Sequence, residues 1–204
     1  FQSIASRIHL IRKAKYTLDL QYYFWADDFI GNLMLHELLK AADRGVKVRL
    51  LIDDQNGTKI DRQLSALLRH PNISIKLYNP YKFRHFRVMD YIFRMNRINH
   101  RMHNKLIIAD GAIAVTGGRN ISSEYFDASE SFQFTDMDIL FFGKAVNRAN
   151  EVFTDFWNFQ LSYPIDQFIH KGSEHDLLTL RKSFERLEQA EQTTDEKVNL
   201  EQKE

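Results

Sequence analysis

The stretch RINHRMHNKLIIADGAIAVTGGRN, residues 97–120, gathers His103, Lys105, Asp110, Gly117, Gly118 and Asn120 around two apolar runs and one turn. If the run around LIIAD is a strand, residues two apart share a face, so His103 and Lys105 project together while Asn104 points away. An imidazole beside an ammonium is favoured by like charge in its neutral, nucleophilic form. The ammonium can then grip a phosphate oxygen. Glycines at 117 and 118 let backbone come close to a bound group, and the Asn120 amide can donate to an oxyanion. Together these are the parts of phosphoryl-group chemistry at histidine, with no metal among them.

Such groups need a rigid frame, and the hydrophobic pattern supplies one. Leu18, Leu20 and Tyr22 repeat every second residue; Ile30, Met34, Leu38 and Ala41 repeat at helical spacing; VKVRLLID reads as a strand again. Asp27 or Asp28 is placed to cap that helix at its start, and Gly45 follows its end. The alternation continues with a helix near 61–68, a strand in ISIKLYN, and strands LIIAD and IAVTGG joined by a turn at Asp110-Gly111. DMDILFFG is a further strand, and Val146, Ala149, Phe153, Phe156 and Trp157 form a helical stripe. Strands interleaved with helices predict an α/β fold, a mixed sheet sandwiched by helices. Leu177, Leu180, Phe184 and Leu187 make one more apolar stripe, after which EQTTDEKVNLEQKE has almost no core-forming residue and reads as a polar linker.

Composition narrows the function classes. The 204 residues suit one domain, and a net charge of +1 means that attraction to an anionic partner must come from local clustering. Cysteine is absent, which excludes disulfides, thiolate metal sites and cysteine nucleophiles. No apolar run reaches the roughly 18 residues of a membrane span, and no leader pattern opens the chain. A first residue of Phe1, not Met, suggests a start inside a longer polypeptide. Charge does cluster in PYKFRHFRVMDYIFRMNRINHRMHNK, where Arg84, Arg87, Arg94 and Arg101 alternate with Tyr81, Phe83, Phe86, Tyr91 and Phe93. Arginine forks match phosphate oxygens and aromatic rings suit a lipid interface, so this stretch is expected to bind phosphate or an anionic membrane surface. A nucleic-acid backbone would also be served.

The spacing His103-Asn-Lys105, four residues, Asp110, then Gly117-Gly118-Arg119-Asn120, resembles the His-x-Lys-x-x-x-x-Asp signature of the phospholipase D superfamily. YYFWADDFIGNLMLHELLKAADRGVKVRLLIDD and TGGRNISSEYFD are similar to the bacterial cardiolipin synthase branch, and the likeness runs from about Ile4 to Tyr163. The resemblance implies a phosphohistidine intermediate, no metal or other cofactor, and two motifs facing each other: one histidine attacks phosphorus and the other handles the proton of the alcohol. It further implies that lysine and asparagine (Lys105, Asn120) hold phosphoryl oxygens, that Asp110, Gly117 and Gly118 support the motif, and that an acidic residue on the later strand orients the histidine. Asp136 is the expected one and Asp138 its rival.

Only one such motif occurs; His9 and the His170-Lys171 pair fail the spacing. The chain is therefore expected to be an N-terminal half, with a catalytic half-domain over 1–172 and a docking helix plus linker over 173–204 leading toward a second half. The leading function is a phosphatidyltransferase acting on phospholipid, peripheral to the bacterial inner membrane. The alternatives are a homodimeric single-motif phosphodiesterase or nuclease and a non-catalytic membrane-binding module.

Overall fold

A computed structural model describes residues 2–56, 58–84, 100–125 and 137–201. Its centre is one seven-stranded mixed sheet, built from β1 (Thr17–Tyr22), β2 (Lys47–Asp53), β3 (Ile73–Tyr78), β4 (Lys105–Ala109), β5 (Ile113–Gly117), β6 (Asp138–Phe142) and β7 (Ser162–Pro164). The spatial order is β6-β5-β4-β1-β2-β3-β7. β1, β2 and β3 are parallel, and β4 joins β1 antiparallel. The parallel pairs are connected through helices α2 (Phe29–Asp43) and α3 (Asp61–Leu67), while β4 and β5 form a hairpin. Both central residues of its turn, Asp110 (φ 54) and Gly111 (φ 61), are left-handed, a conformation that Asp and Gly tolerate better than most residues.

Alternation divides the sheet's side chains between two apolar layers. Leu18, Leu20, Leu50, Ile52, Ile75 and Ile107 pack with buried residues of α1 (Gln2–Lys13), α2, α3 and α5 (Glu174–Glu201). Leu51, Leu106, Ile108 and Ala114 pack with Val146 and Phe153 of α4 (Lys144–Asn158). Full burial of one such side chain stabilises the fold by roughly 1.5–3 kcal/mol before the cost of ordering it. The mixed sheet between helices is thus the expected α/β sandwich. Among the described residues no helix is long and apolar enough to cross a membrane.

Two segments differ from the sequence pattern. α1 adds a helix ahead of the first expected strand, with Ile4, Ile8 and Ile11 at helical spacing and Arg7, in its middle, buried along with Ile4 and Ile11. At the other end, α5 continues through Glu201, whereas the polar composition suggested a linker after Ala190. Glu, Gln and Lys are good helix formers even without a buried face, so polar composition alone does not end a helix. At α2 the N-cap is Asp28, which accepts from the Gly31 N–H at 2.8 Å, and Gly45 follows the C-cap at φ 96.

One polar cluster ties the outer strand to the first helix. Asp138, opposite Gly117 in the β5–β6 register, accepts two bonds from Arg7, at 2.9 and 3.0 Å, one from Ser3 and one from Arg119 at 2.7 Å. Arg7 is 1% exposed and also donates to the Tyr22 hydroxyl at 3.2 Å. Gly117 is what makes room: a β-carbon there would lie 1.9 Å from Asp138 Oδ1 and 2.7 Å from the Met137 carbonyl. The expectation that Gly117 clears space for a bound group is corrected accordingly. Its missing side chain accommodates a carboxylate of the fold itself.

Gly117→Ala should destabilise the protein by about 3 kcal/mol or more, since it displaces one partner of a buried ion pair; chemical denaturation would measure it. Burial opposes the Asp138 charge, but the bonds from Arg7 and Ser3, the charge of Arg7 and the bond from Arg119 together hold its carboxyl down at about 2, against an ordinary 3.8. A carboxylate depressed on folding contributes stability above its unfolded pKa and loses it as pH falls through the folded one. Wild-type stability should therefore drop between about pH 4 and pH 2 more steeply than that of Asp138→Asn. Equal slopes would remove Asp138 from the acid response.

Candidate active site

The end of the sheet where β1 finishes and β4 begins carries the candidate chemistry, and carboxylates set its geometry. Asp110, just past β4, accepts from the backbone N–H groups of Lys15 (2.9 Å), Tyr16 (2.7 Å) and Thr17 (2.9 Å). Burial works against its charge, yet the three N–H donors hold its carboxyl below the usual range. The clamp anchors one end of the β1–β4 ladder, in which Leu18 faces Ala109 and Tyr22 faces Lys105.

Ahead of β4 the ladder stops, because β1 ends at Tyr22. Residues 101–104 are coil, so His103 and Lys105 do not share a strand face as the two-residue spacing suggested. Other groups hold this segment. Asp53, fully buried at the end of β2, accepts from Arg101 Nη1 at 2.9 Å and from the Met102 N–H at 2.8 Å. Burial pushes its carboxyl above the usual range, with Arg101 and the Met102 N–H opposing. Asn79, at φ 44, donates its amide to the His100 carbonyl at 2.9 Å and accepts from Arg101 at its own carbonyl at 3.1 Å.

His103 is brought to Lys105 by a shared aromatic ring. The imidazole, exposed on one side, stacks on Tyr23 with centroids 4.2 Å apart and planes 22° from parallel. Lys105 Nζ lies 5.5 Å from the same ring centroid and donates to the His103 carbonyl at 2.8 Å. The third motif element lies on the loop after β5: a parallel bridge pairs Trp25 with Ile121, with the Ala26 N–H on the Ile121 carbonyl at 2.7 Å. That bridge sets Asn120 beside the segment that follows Tyr23. Asn120 is 5% exposed and its amide donates to the Tyr125 hydroxyl at 3.1 Å, while its Oδ1 is buried with no hydrogen-bond partner among the described residues. Gly118 is exposed, and Arg119 is engaged with Asp138.

The structure reassigns several expected site residues. Arg84 is buried, its guanidinium on Asp54 and Asp61 at 2.7–3.2 Å. Arg101 pairs with Asp53 and lies 4.4 Å over the Tyr81 ring. Their expected role in binding phosphate or membrane is corrected: carboxylates inside the fold hold both charges. Buried acids at Asp53 and Asp54, with half-buried Asp61, are the reason, and the basic run alone does not reveal them. Arg87 and Arg94 lie outside the described residues, as does Asp136. Its rival Asp138 is committed to Arg7, Ser3 and Arg119 and serves the fold. Three residues that the motif did not point to, Tyr23, Asp53 and Asn79, hold His103 and its neighbours in place. The doubled Tyr22-Tyr23 at a strand end and the doubled Asp53-Asp54 at the next were the available signals.

An imidazole with an accessible edge, an ammonium beside it and an amide on the adjoining loop can receive a phosphoryl group and neutralise its charge. Comparison with known proteins finds several that are similar to this chain. The family model described as "Cardiolipin synthase, PLD-like domain" matches residues 7–157. Cardiolipin synthase C of Escherichia coli (strain K12) is 42% identical over 184 residues, covering 89% of this chain and 39% of that protein. Cardiolipin synthase 1 of Bacillus cereus is 28% identical over 175 residues, covering 83% of this chain and 33% of that protein. The chain thus spans about two fifths or less of the length of these relatives. Among solved structures, phosphatidylserine synthase of Haemophilus influenzae Rd KW20 superposes with a TM-score of 0.59 at 19% identity, over 92% of this chain and 42% of that one. Nuc of Salmonella typhimurium, a phospholipase D family member, superposes with a TM-score of 0.52 at 18% identity, over 78% of this chain and 88% of that one. With the family model matched over residues 7–157 of the chain and the motif His103-x-Lys105 to Asp110 spanning β4, the chain belongs to the phospholipase D-like domain family of cardiolipin synthases.

Proposed function

We propose that this chain supplies one histidine-bearing half of a phosphatidyltransferase active site, and that the complete enzyme joins two phospholipids into cardiolipin through a phosphohistidine. The observation that carries this reading is the pairing of His103 and Lys105 on Tyr23, in a chain 42% identical to a cardiolipin synthase over 184 residues. In the first step a histidine nitrogen attacks phosphorus. The N–P bond forms as the P–O bond to the departing alcohol breaks, and a second histidine gives that alcohol its proton. In the second step the hydroxyl of the acceptor lipid loses its proton to the second histidine and attacks phosphorus, and the N–P bond breaks. Atoms and charge balance with no oxidant or reductant.

One motif provides one histidine, so attack and proton delivery on opposite sides of phosphorus need a second histidine from elsewhere. It comes from a second motif-bearing domain or a second copy of the chain. Lys105 and Asn120 hold the phosphoryl oxygens; for Asn120 this requires its amide to leave the Tyr125 hydroxyl. Work on phospholipid places the protein at a membrane surface as a peripheral enzyme, facing anionic lipid. The single motif also favours a second reading, a homodimeric phosphodiesterase acting on nucleic acid.

Product mass separates the two. Full-length protein given phosphatidylglycerol vesicles should yield cardiolipin and free glycerol, and an oligonucleotide should remain intact. Cleavage of the oligonucleotide with no new lipid would give the second reading the lead. His103→Ala should lower turnover by roughly a thousandfold or more with the fold unchanged. Lys105→Arg should also be damaging, because a planar guanidinium does not reproduce a compact ammonium. Excess EDTA should leave the rate as it was, since the chemistry rests on histidine. Near-normal turnover by His103→Ala would remove that residue from the reaction.

A further inference from the structure

The geometry points to Tyr23 as a positioning residue for the phosphoryl-transfer site: its ring is the surface on which the His103 imidazole is held flat and toward which the Lys105 ammonium is drawn. This rests on the reading of His103 and Lys105 as the reacting pair. Tyr23 lies outside the His-x-Lys-x-x-x-x-Asp signature; it is the first residue beyond β1, where the ladder to β4 has ended.

Its own position is fixed from both sides. Behind it, Tyr22 is buried and paired with Lys105. Ahead of it, the Phe24 carbonyl accepts from the Ile121 N–H at 3.2 Å, and fully buried Trp25 donates its indole N–H to the Gly31 carbonyl at 3.0 Å. The backbone that carries the ring therefore cannot drift along the sheet. The segment bearing His103 is fixed independently, by Asp53 on Met102 and Asn79 on His100. Two separately anchored pieces of backbone thus meet at one ring-to-ring contact of 4.2 Å.

That contact does what the backbone anchors do not. They set the His103 α-carbon, but a side chain exposed to solvent still has its staggered rotamers to choose among. Stacking selects a single plane for the imidazole. Its ring nitrogens lie in that plane, so fixing the plane fixes the line along which one of them meets phosphorus. The same ring attracts the ammonium electrostatically, which gathers nucleophile or acid and phosphate clamp around one side chain. The ring, and not the hydroxyl, carries both effects.

Three variants and two readouts test this. Tyr23→Phe keeps the ring, Tyr23→Leu removes it at similar bulk, and Tyr23→Trp offers a larger one. In the NMR spectrum of the wild-type protein the His103 ring protons should be shifted upfield by the stacked ring, a shift kept in Tyr23→Phe and lost in Tyr23→Leu. In the lipid assay Tyr23→Leu should lower kcat by roughly ten- to a hundredfold, the cost of a misplaced reacting group, with KM changed little. Tyr23→Phe and Tyr23→Trp should retain most of the wild-type kcat. The proposal is overturned if the His103 shifts are the same in wild type and Tyr23→Leu, if Tyr23→Leu turns over normally, or if Tyr23→Phe is as impaired as Tyr23→Leu. Should the protein act on no phosphodiester at all, the functional reading fails by itself, and the proton shifts still decide whether the ring holds the imidazole.

Discussion

The pairing of β4 with β1 is the constraint on which the rest depends. β4 is the strand that carries Lys105, and its antiparallel register on β1 decides where that lysine, and with it His103, comes to lie. A slip of one residue would exchange the two faces of β4, sending Leu106 and Ile108 out of the α4 layer and Ile107 out of the other. The apolar pattern alone opposes such a slip. The Asp110 carboxylate adds a polar lock, because its three backbone bonds to Lys15, Tyr16 and Thr17 can form only in the observed register. Charge-assisted bonds of this kind contribute about 1.5–3 kcal/mol each when well formed.

Around that pairing the molecule repeats one device: a carboxylate at a strand end holds the backbone or the arginine of a neighbouring segment. Asp53 holds Arg101 and Met102, Asp54 holds Arg84 and the Tyr81 N–H, Asp28 caps α2 and also accepts from the Ser123 N–H at 2.6 Å, and Asp138 holds Arg7 and Arg119. Each fixes a loop near the candidate site without entering it. In the proposed function this division of labour leaves His103, Lys105 and Asn120 to the chemistry, while these acids supply rigidity. It also explains why a basic, aromatic run in the sequence includes arginines that point inward: they neutralise the acids that build the frame.

The fold was legible where periodicity was strong. The β1–α2–β2 unit, α3, the β4–β5 hairpin and α4 all show an apolar repeat of 2 or 3.6, because each buries a defined face. The end of α5 was not legible, since a polar helix and a polar coil look alike in composition, whereas α1 carries Ile4, Ile8 and Ile11 at helical spacing around a buried Arg7. Of the candidate site, His103, Lys105 and Asn120 stood out by type and spacing, and their placement at one sheet end follows from hairpin geometry. Tyr23 could not be singled out because its role depends on a contact across 80 residues of sequence, from the end of β1 to the residue before Asn104. Gly117 was misread for a related reason: a glycine needed to admit a ligand and one needed to admit a distant carboxylate are the same letter.

The claim that the Asp110 lock builds the site can be measured most directly by amide hydrogen exchange on wild type and Asp110→Ala, with turnover followed in parallel. Slow exchange is expected at Tyr16 and Thr17 in the wild type. In the variant, exchange should be faster there and along Lys105 and Leu106, together with a fall in turnover, although Asp110 is held away from the imidazole by the length of β4. Unchanged protection at all of these amides and undiminished turnover in Asp110→Ala would contradict it.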